Sequence, residues 1–470
     1  MDHTMHYDKI GRPAHQRVRH NGQTLYDKSY TWGGNLRLLR TFDTINGRSV
    51  RYDYDAFDSL SGAVFGNGSR QWRNPDLMGN VYDSPDRTDR SYGRGGQLRE
   101  DKKWRYYYDS HGNLVLKTMR RSGPSLETGM RDEFLAWQSS DYTYTWQGNG
   151  MLRSVTRPDG KTVTFKYDAL GRRIEKVFDG RVYRYLWDGD VILHEWDYAE
   201  ADRPNTIVTE TGEVTLDRPE PVENLITWVY DSDSYVPTAK IVGDRHYSII
   251  SDYIGRPVQA YDDNIVWQAD YDIYGNIRNL HGSRRFIPFR QLGQYEDEET
   301  GLYLNRFRYY DLRTGNYISQ DPISLAGNNP TLYGYVSDPN VHIDPFGLRK
   351  YVVYQAYELD AKGNRTGKIY TGRTSGGDNM SVVQILNRRH SNHHRNLARL
   401  NSVYETDNYK AMRGGEQYFI EEARRSGNAA DQINGISPKK VNKNGYESAY
   451  ADPENNRTGK LDDNLKKRYC

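Results

Sequence analysis

The chain has 470 residues and a formal net charge of +2, too long for one ordinary domain, so at least two are expected. Its single cysteine, Cys470, excludes an intrachain disulfide framework, cysteine-ligated zinc and a papain-like nucleophile. No apolar run approaches the roughly eighteen residues that a membrane-spanning helix needs, and Met1-Asp2-His3-Thr4-Met5-His6 is not a signal peptide.

From the first residues the chain repeats a unit, Tyr-Asp-x-x-Gly-[Arg/Asn], and such self-similarity decides a fold. It reads Tyr7-Asp8-Lys9-Ile10-Gly11-Arg12, then Tyr108 to Asn113, Tyr167 to Arg172 and Tyr271 to Asn276. Tyr253 to Arg256 and Tyr310 to Asn316 are degenerate copies. Tyrosine ends a strand, aspartate starts a turn, and glycine supplies the left-handed residue before the next strand. Val163, Phe165 and Tyr167 alternate with Thr162, Thr164 and Lys166, and Tyr183, Tyr185 and Trp187 repeat the alternation. Forty tyrosines against 11 phenylalanines, with 43 glycines, fit many short strands and turns. A hydrophobic content of 36% suits a thin, curved sheet with both faces partly wet. The fold expected is mainly β, an antiparallel sheet over residues 1–348 built one hairpin after another. The acidic run Glu296-Asp297-Glu298-Glu299 reads as an exposed turn, and no catalytic constellation precedes Arg308.

Between Arg306 and Leu348 the sequence changes character. Tyr309-Tyr310-Asp311, Gly315 to Pro322, Leu332-Tyr333-Gly334-Tyr335 and Asp344-Pro345-Phe346-Gly347-Leu348 follow one another. This stretch resembles the Rhs-associated core of the Rhs/YD-repeat polymorphic toxins, whose Asp-Pro-x-Gly-Leu motif ends a β-shell and begins a toxin. The resemblance implies a YD-repeat shell over 1–285, an associated core over 286–348 and a toxin domain over 349–470. It implies a sheet that spirals into a cocoon wall, of which 348 residues make only a part. It also implies self-cleavage between Leu348 and Arg349 by an aspartic-type dyad, Asp321 and Asp344, supported by Arg308. Two carboxyls sharing a proton keep one acid and one base available, because like charges do not both ionise cheaply.

Residues 349–470 carry a net +8 and the rest −6, an asymmetry that points the tail at a polyanion. The tail opens with a strand, Tyr351 to Tyr357, a turn, Asp360 to Asn364, and a return strand, Lys368 to Thr374. A basic helical run is expected from Val382 to Leu400, holding Arg388-Arg389-His390 and His393-His394-Arg395, and a second helix near Gly415 to Ala423. This order resembles the GIY-YIG nuclease fold, a small α/β domain. Val352-Val353-Tyr354 stands for the first triad and Tyr370-Thr371-Gly372 for the second. Arg389, His393, Glu416 and Asn434 match the later positions. Val352 replaces the first glycine and Thr371 an aliphatic residue. The resemblance implies Tyr354 or Tyr370 positioning water, Arg389 holding phosphate and Glu416 ligating Mg²⁺.

Two rival readings remain for the tail. His390, His393 and His394 suit a metal-independent ribonuclease, and a nucleotide-dependent transferase such as an ADP-ribosyltransferase is a further class. The shell itself could serve as a surface adhesin. DNA is the expected target, with RNA the alternative. By resemblance, a cognate immunity protein, an adaptor or chaperone, and export from a bacterial cytoplasm by a type VI-like apparatus into a target cell are expected.

Overall fold

The computed structural model describes residues 1–120, 138–231, 234–322, 331–344, 350–360, 362–376, 386, 389–390, 395–406 and 409–430. Two compact units emerge, Met1–Gln320 with Pro330–Gly347, and Asp321–Asn329 with Leu348–Cys470. His393, Asn434 and the Leu348–Arg349 junction lie outside the described residues.

In the first unit, strand follows strand in chain order. A seven-stranded antiparallel sheet runs from Asp2–Tyr7 to Arg70–Trp72, and a sixteen-stranded one from Ser91–Tyr92 to Ile277–His281. The large sheet passes over one small hairpin, Thr206–Val208 with Val214–Leu216. The expected alternation holds within Thr162–Tyr167, where Val163 and Phe165 are buried between exposed Thr162, Thr164 and Lys166.

Each Tyr-Asp-x-x-Gly unit closes the same way. The Asp168 carboxylate accepts from the Leu170 and Arg172 amides at 2.9 and 2.8 Å, and Arg172 Nε donates to its second oxygen at 2.6 Å. Asp8, Asp109, Asp252 and Asp272 repeat the two amide contacts. The sixth position of the repeat is therefore a second turn donor, filled by arginine or asparagine.

The ring at the end of a strand does more than pack. Tyr167 donates its hydroxyl to the Leu152 carbonyl, Tyr271 to Pro257, and Tyr54 to Leu38, at 2.9, 2.6 and 3.1 Å. Trp187 and Trp146 do the same with Nε1, to Arg173 and Leu114, both at 2.8 Å. In every case the acceptor is the first residue of the preceding strand. A phenylalanine packs as well but cannot make this clasp, which favours tyrosine at positions 54, 167 and 271.

The large sheet is not wet on both faces, as its low hydrophobic content led us to expect. A four-stranded sheet, Tyr295–Asp297, Leu302–Asn305, Arg308–Asp311 and Asn316–Tyr317, belongs to the segment after residue 286. Its Leu302, Leu304 and Tyr309 share one buried cluster with Trp104, Leu152, Phe165, Trp228 and Trp267 of the large sheet. Burial is concentrated on one face, so modest apolar content suffices. The acidic run is a second correction. Glu296, Asp297 and Glu299 are buried. Arg173 pairs with Asp297, and Lys176 with Asp297 and Glu299 at 3.2 and 3.1 Å, while Arg290 and Arg284 hold Glu296. Arg173 and Lys176 come from the distant strand Arg173–Phe178, so local sequence could not reveal them. Buried charge is tolerable only when paired in this way.

The associated segment settles on turn glycines. A side chain at Gly171 would meet Phe307, at Gly255 Leu292, and at Gly275 Gln291.

In the second unit, Lys350–Leu359 and Arg365–Gly376 form the expected hairpin. Asn401–Thr406 pairs on the other side of Lys350–Leu359, giving a three-stranded antiparallel sheet with Lys350–Leu359 in the middle. The helix Tyr409–Arg425 packs against all three strands and stops at Gly427, whose positive φ allows the reversal. The basic helical run ends earlier than expected. Leu386, Arg389 and His390 are helical, but Leu397 bridges to Glu358 and the Ala398 amide bonds the Tyr357 carbonyl. Pairing with the end of the first strand takes that backbone out of the helix.

Gly171 and Gly180 share a φ of +73°, yet a Cβ on Gly171 would lie 2.5 Å from Phe307 and one on Gly180 would meet nothing. Gly180→Ala should cost about 1–2 kcal/mol, the left-handed penalty alone. Gly171→Ala should cost about 1–3 kcal/mol more, through overpacking. Urea denaturation of the two variants side by side measures the difference, and equal losses would refute the close-packing account. Tyr271→Phe keeps its ring but leaves the Pro257 carbonyl without this donor. A loss of about 1–2 kcal/mol is expected in the same assay.

Candidate functional site

The second unit sets its two predicted tyrosines on one face of the hairpin. Tyr354 lies opposite Gly372, and Ala356 opposite Tyr370, so the two tyrosines are diagonal neighbours on one side of the sheet. Their ring centroids are 6.4 Å apart. Gly372 has no left-handed backbone; its lack of a side chain is what matters. A Cβ there would stand 2.6 Å from the Tyr354 hydroxyl and 2.8 Å from the Tyr370 ring. Glycine is thus the residue that lets both rings close over the strand.

Arg389 enters from the helical segment, and its Nε donates to the Tyr354 hydroxyl at 3.1 Å. Glu416 enters from the Tyr409–Arg425 helix, is buried, and forms an ion pair with Arg373 of the return strand. Burial pushes both tyrosine hydroxyls above their ordinary range; Arg389 opposes that rise, and Glu416 adds to it. Both phenols are therefore protonated at neutral pH. Arg395 lies over the Tyr370 ring, 5.2 Å from its centroid, and pairs with Glu358 at 2.9 Å.

The structure therefore brings Tyr354, Tyr370 and Arg389 together, with Glu416 paired to Arg373 and its charge reaching both phenols. Glu416 is the hard-oxygen donor among them. Among the described residues no three His, Cys, Asp or Glu side chains converge. His390 is exposed. Sequence reasoning missed Arg395, which stood in the basic cluster, because nothing local showed that its segment returns to the sheet.

The first unit holds Asp344 and Arg308. Asp344 is buried, and its Oδ2 accepts from the Tyr317 hydroxyl at 2.9 Å and faces Arg308 Nη2 at 3.4 Å. The Arg308 guanidinium lies over the Tyr317 ring at 3.7 Å, and Asn305 donates to the Asp344 carbonyl at 2.7 Å. Asp344 and Arg308 are thus brought together. Asp321 is also buried and falls at the start of the second unit's residues.

The repeat, the turn aspartates and the strand-end aromatics extend through the first unit, and the teneurin YD-shell family model matches residues 1–333. The chain belongs to the teneurin YD-shell family. This YD-shell protein is 29% identical over 415 residues to the double-stranded DNA deaminase toxin A of Burkholderia cenocepacia (strain H111), covering 79% of this chain and 26% of that protein. It is 32% identical over 265 residues to the probable deoxyribonuclease RhsA of Dickeya dadantii (strain 3937), covering 55% of this chain and 16% of that one. The YD-shell chain thus spans about a quarter or less of the length of these relatives. The solved Photorhabdus luminescens Tc holotoxin pore aligns with 73% of the chain and 18% of its own, at 14% identity and a TM-score of 0.39.

Proposed function

We propose that the chain belongs to an Rhs polymorphic toxin and that its second unit is a GIY-YIG-type nuclease that hydrolyses DNA phosphodiester bonds with Mg²⁺. The observation that carries this reading is the meeting of Tyr354, Tyr370 and Arg389, drawn from three separate segments, with the buried Glu416 near enough for its charge to reach both phenols. Two relatives bear names for two different chemistries on DNA, a deaminase and a deoxyribonuclease. Relationship alone therefore does not choose the reaction, and the site's own chemistry has to.

A lone buried carboxylate suits Mg²⁺, which keeps most of its waters, and does not suit zinc. Glu416 would hold the ion, which supplies charge stabilisation to phosphate oxygens when bound. Arg389 is placed to clamp phosphate with its remaining N–H donors while its Nε holds the Tyr354 hydroxyl. Because both phenols stay protonated, their role is to orient water and donate to oxygen, with general-base work left to solvent-derived groups. His393 and Asn434 keep the places the resemblance gives them.

We further propose that the chain cuts itself after Leu348. Water adds to the Leu348 carbonyl, the peptide bond breaks, and the amine of Arg349 takes a proton. Asp344, held between Tyr317 and Arg308, is one carboxyl of the dyad, and Asp321 the other. By the same resemblance the maker holds an immunity protein, and export uses an adaptor and a type VI-like apparatus.

Purified protein should nick supercoiled plasmid in Mg²⁺. Glu416→Gln should lower nicking about a hundredfold or more while leaving salt-sensitive DNA binding largely intact. Arg389→Ala should lower both, and His393→Ala separates the rivals. Degradation of RNA but not DNA, indifferent to EDTA and to Glu416→Gln, would replace this reading with the histidine ribonuclease.

Intact-mass measurement tests the self-cleavage. Two fragments meeting at Leu348–Arg349 are expected from the parent protein, and one uncut chain from Asp344→Asn and from Asp321→Asn. An uncut parent would end the protease proposal.

A further inference from the structure

We infer that Arg373 gates the metal site: with no nucleic acid bound it neutralises Glu416, and substrate phosphate draws it away, so that metal and nucleic acid load together. This rests on the nuclease reading of the same site.

The two partners differ in freedom. Glu416 is 7% exposed and fixed on a helix packed against three strands, whereas the Arg373 side chain is 35% exposed. A carboxylate so buried needs a counter-charge at all times, because an unpaired ion inside a protein is strongly destabilising. Arg373 is that counter-charge, and it is the partner with room to leave. Its charge also reaches the Tyr370 hydroxyl.

A guanidinium and a divalent cation compete for one carboxylate. In the resting protein the arginine holds Glu416, and cation binding has to displace it. A phosphate offers the guanidinium a bidentate acceptor of matching geometry, which a lysine ammonium would match less well. Once Arg373 turns to phosphate, it no longer competes with the cation for Glu416. Binding of phosphate and of cation are therefore coupled, and linkage makes the coupling reciprocal. The consequence is an enzyme that holds metal weakly until its substrate arrives.

Arg373 stands directly after Gly372 on the return strand, so the residue that admits the tyrosine rings is followed by the gate. Arg373 and Arg389 then divide the work. Arg389 is held to Tyr354 in the resting protein, and Arg373 is held to Glu416.

The test is Mn²⁺ binding to the full chain without nucleic acid, followed by electron paramagnetic resonance of the free ion. Arg373→Ala should bind Mn²⁺ about tenfold more tightly than the parent, since it removes the competing partner of a largely buried carboxylate. Arg373→Lys should stay near the parent, and Glu416→Gln should lose the site. In saturating Mg²⁺, Arg373→Ala should nick plasmid about a hundredfold more slowly, for want of its phosphate contact. Unchanged or weaker Mn²⁺ binding by Arg373→Ala, with Glu416→Gln still losing the site, would overturn the gate and leave the nuclease reading standing. Mn²⁺ binding that survives Glu416→Gln would remove Glu416 as ligand, and the gate with it. Should Arg373→Ala fail to fold, Arg373→Gln carries the same comparison.

Discussion

The clasp between a strand-end aromatic and the first carbonyl of the preceding strand is the constraint on which the first unit depends. An antiparallel sheet of many short strands loses hydrogen bonds wherever a strand begins, and its register is weakly fixed there. In this chain a bulge accompanies Tyr54, Trp146, Tyr167 and Trp187, so each of those residues falls out of step with the following strand. The displaced ring turns back over the preceding strand and donates to its opening carbonyl. The aspartate that follows Tyr54 and Tyr167 closes the turn with its carboxylate, at Asp55 and Asp168. Ring and carboxylate together define both ends of a hairpin, which is why a two-letter signature can propagate through a sheet of sixteen strands.

That local grammar made the sheet legible in the sequence. Alternation at Val163 and Phe165, the turn at Asp168 and the glycine at 171 are all decided within about ten residues, the range over which patterning is informative. The closing of one sheet face was not legible. It depends on Leu302, Leu304 and Tyr309 meeting Leu152, Phe165 and Trp267, residues tens to well over a hundred positions apart. The same distance hid the partners of the acidic run. Asp297 and Glu299 look like solvated charge because Arg173 and Lys176 lie far upstream in the chain.

The candidate nuclease site was legible as an ordered series and not as a geometry. Tyr354, Tyr370, Arg389 and Glu416 could be placed on a strand, a strand, a helix and a helix, and the structure assigns the described ones to those elements. What their order could not convey was charge balance. Arg373 and Arg395 each neutralise a carboxylate beside the tyrosines, Glu416 and Glu358. A site that appears strongly basic by composition therefore has much of that charge internally compensated. The net +8 of residues 349–470 describes long-range attraction to a polyanion, whereas the local field at Tyr354 is set by a few paired groups.

Glycine shows why residue identity underdetermines its reason. Gly180 is required by backbone alone: its φ is +73° and nothing approaches it. Gly171 has the same φ and also lies beneath Phe307, so two independent requirements coincide there. Gly372 has no left-handed backbone, and its requirement is wholly steric, from the hydroxyl of Tyr354 and the ring of Tyr370. In sequence the three are one letter each. Turn chemistry predicts the first and half of the second. The third follows only from the register that sets Tyr354 opposite Gly372, and it is there that a packing requirement becomes one of chemistry.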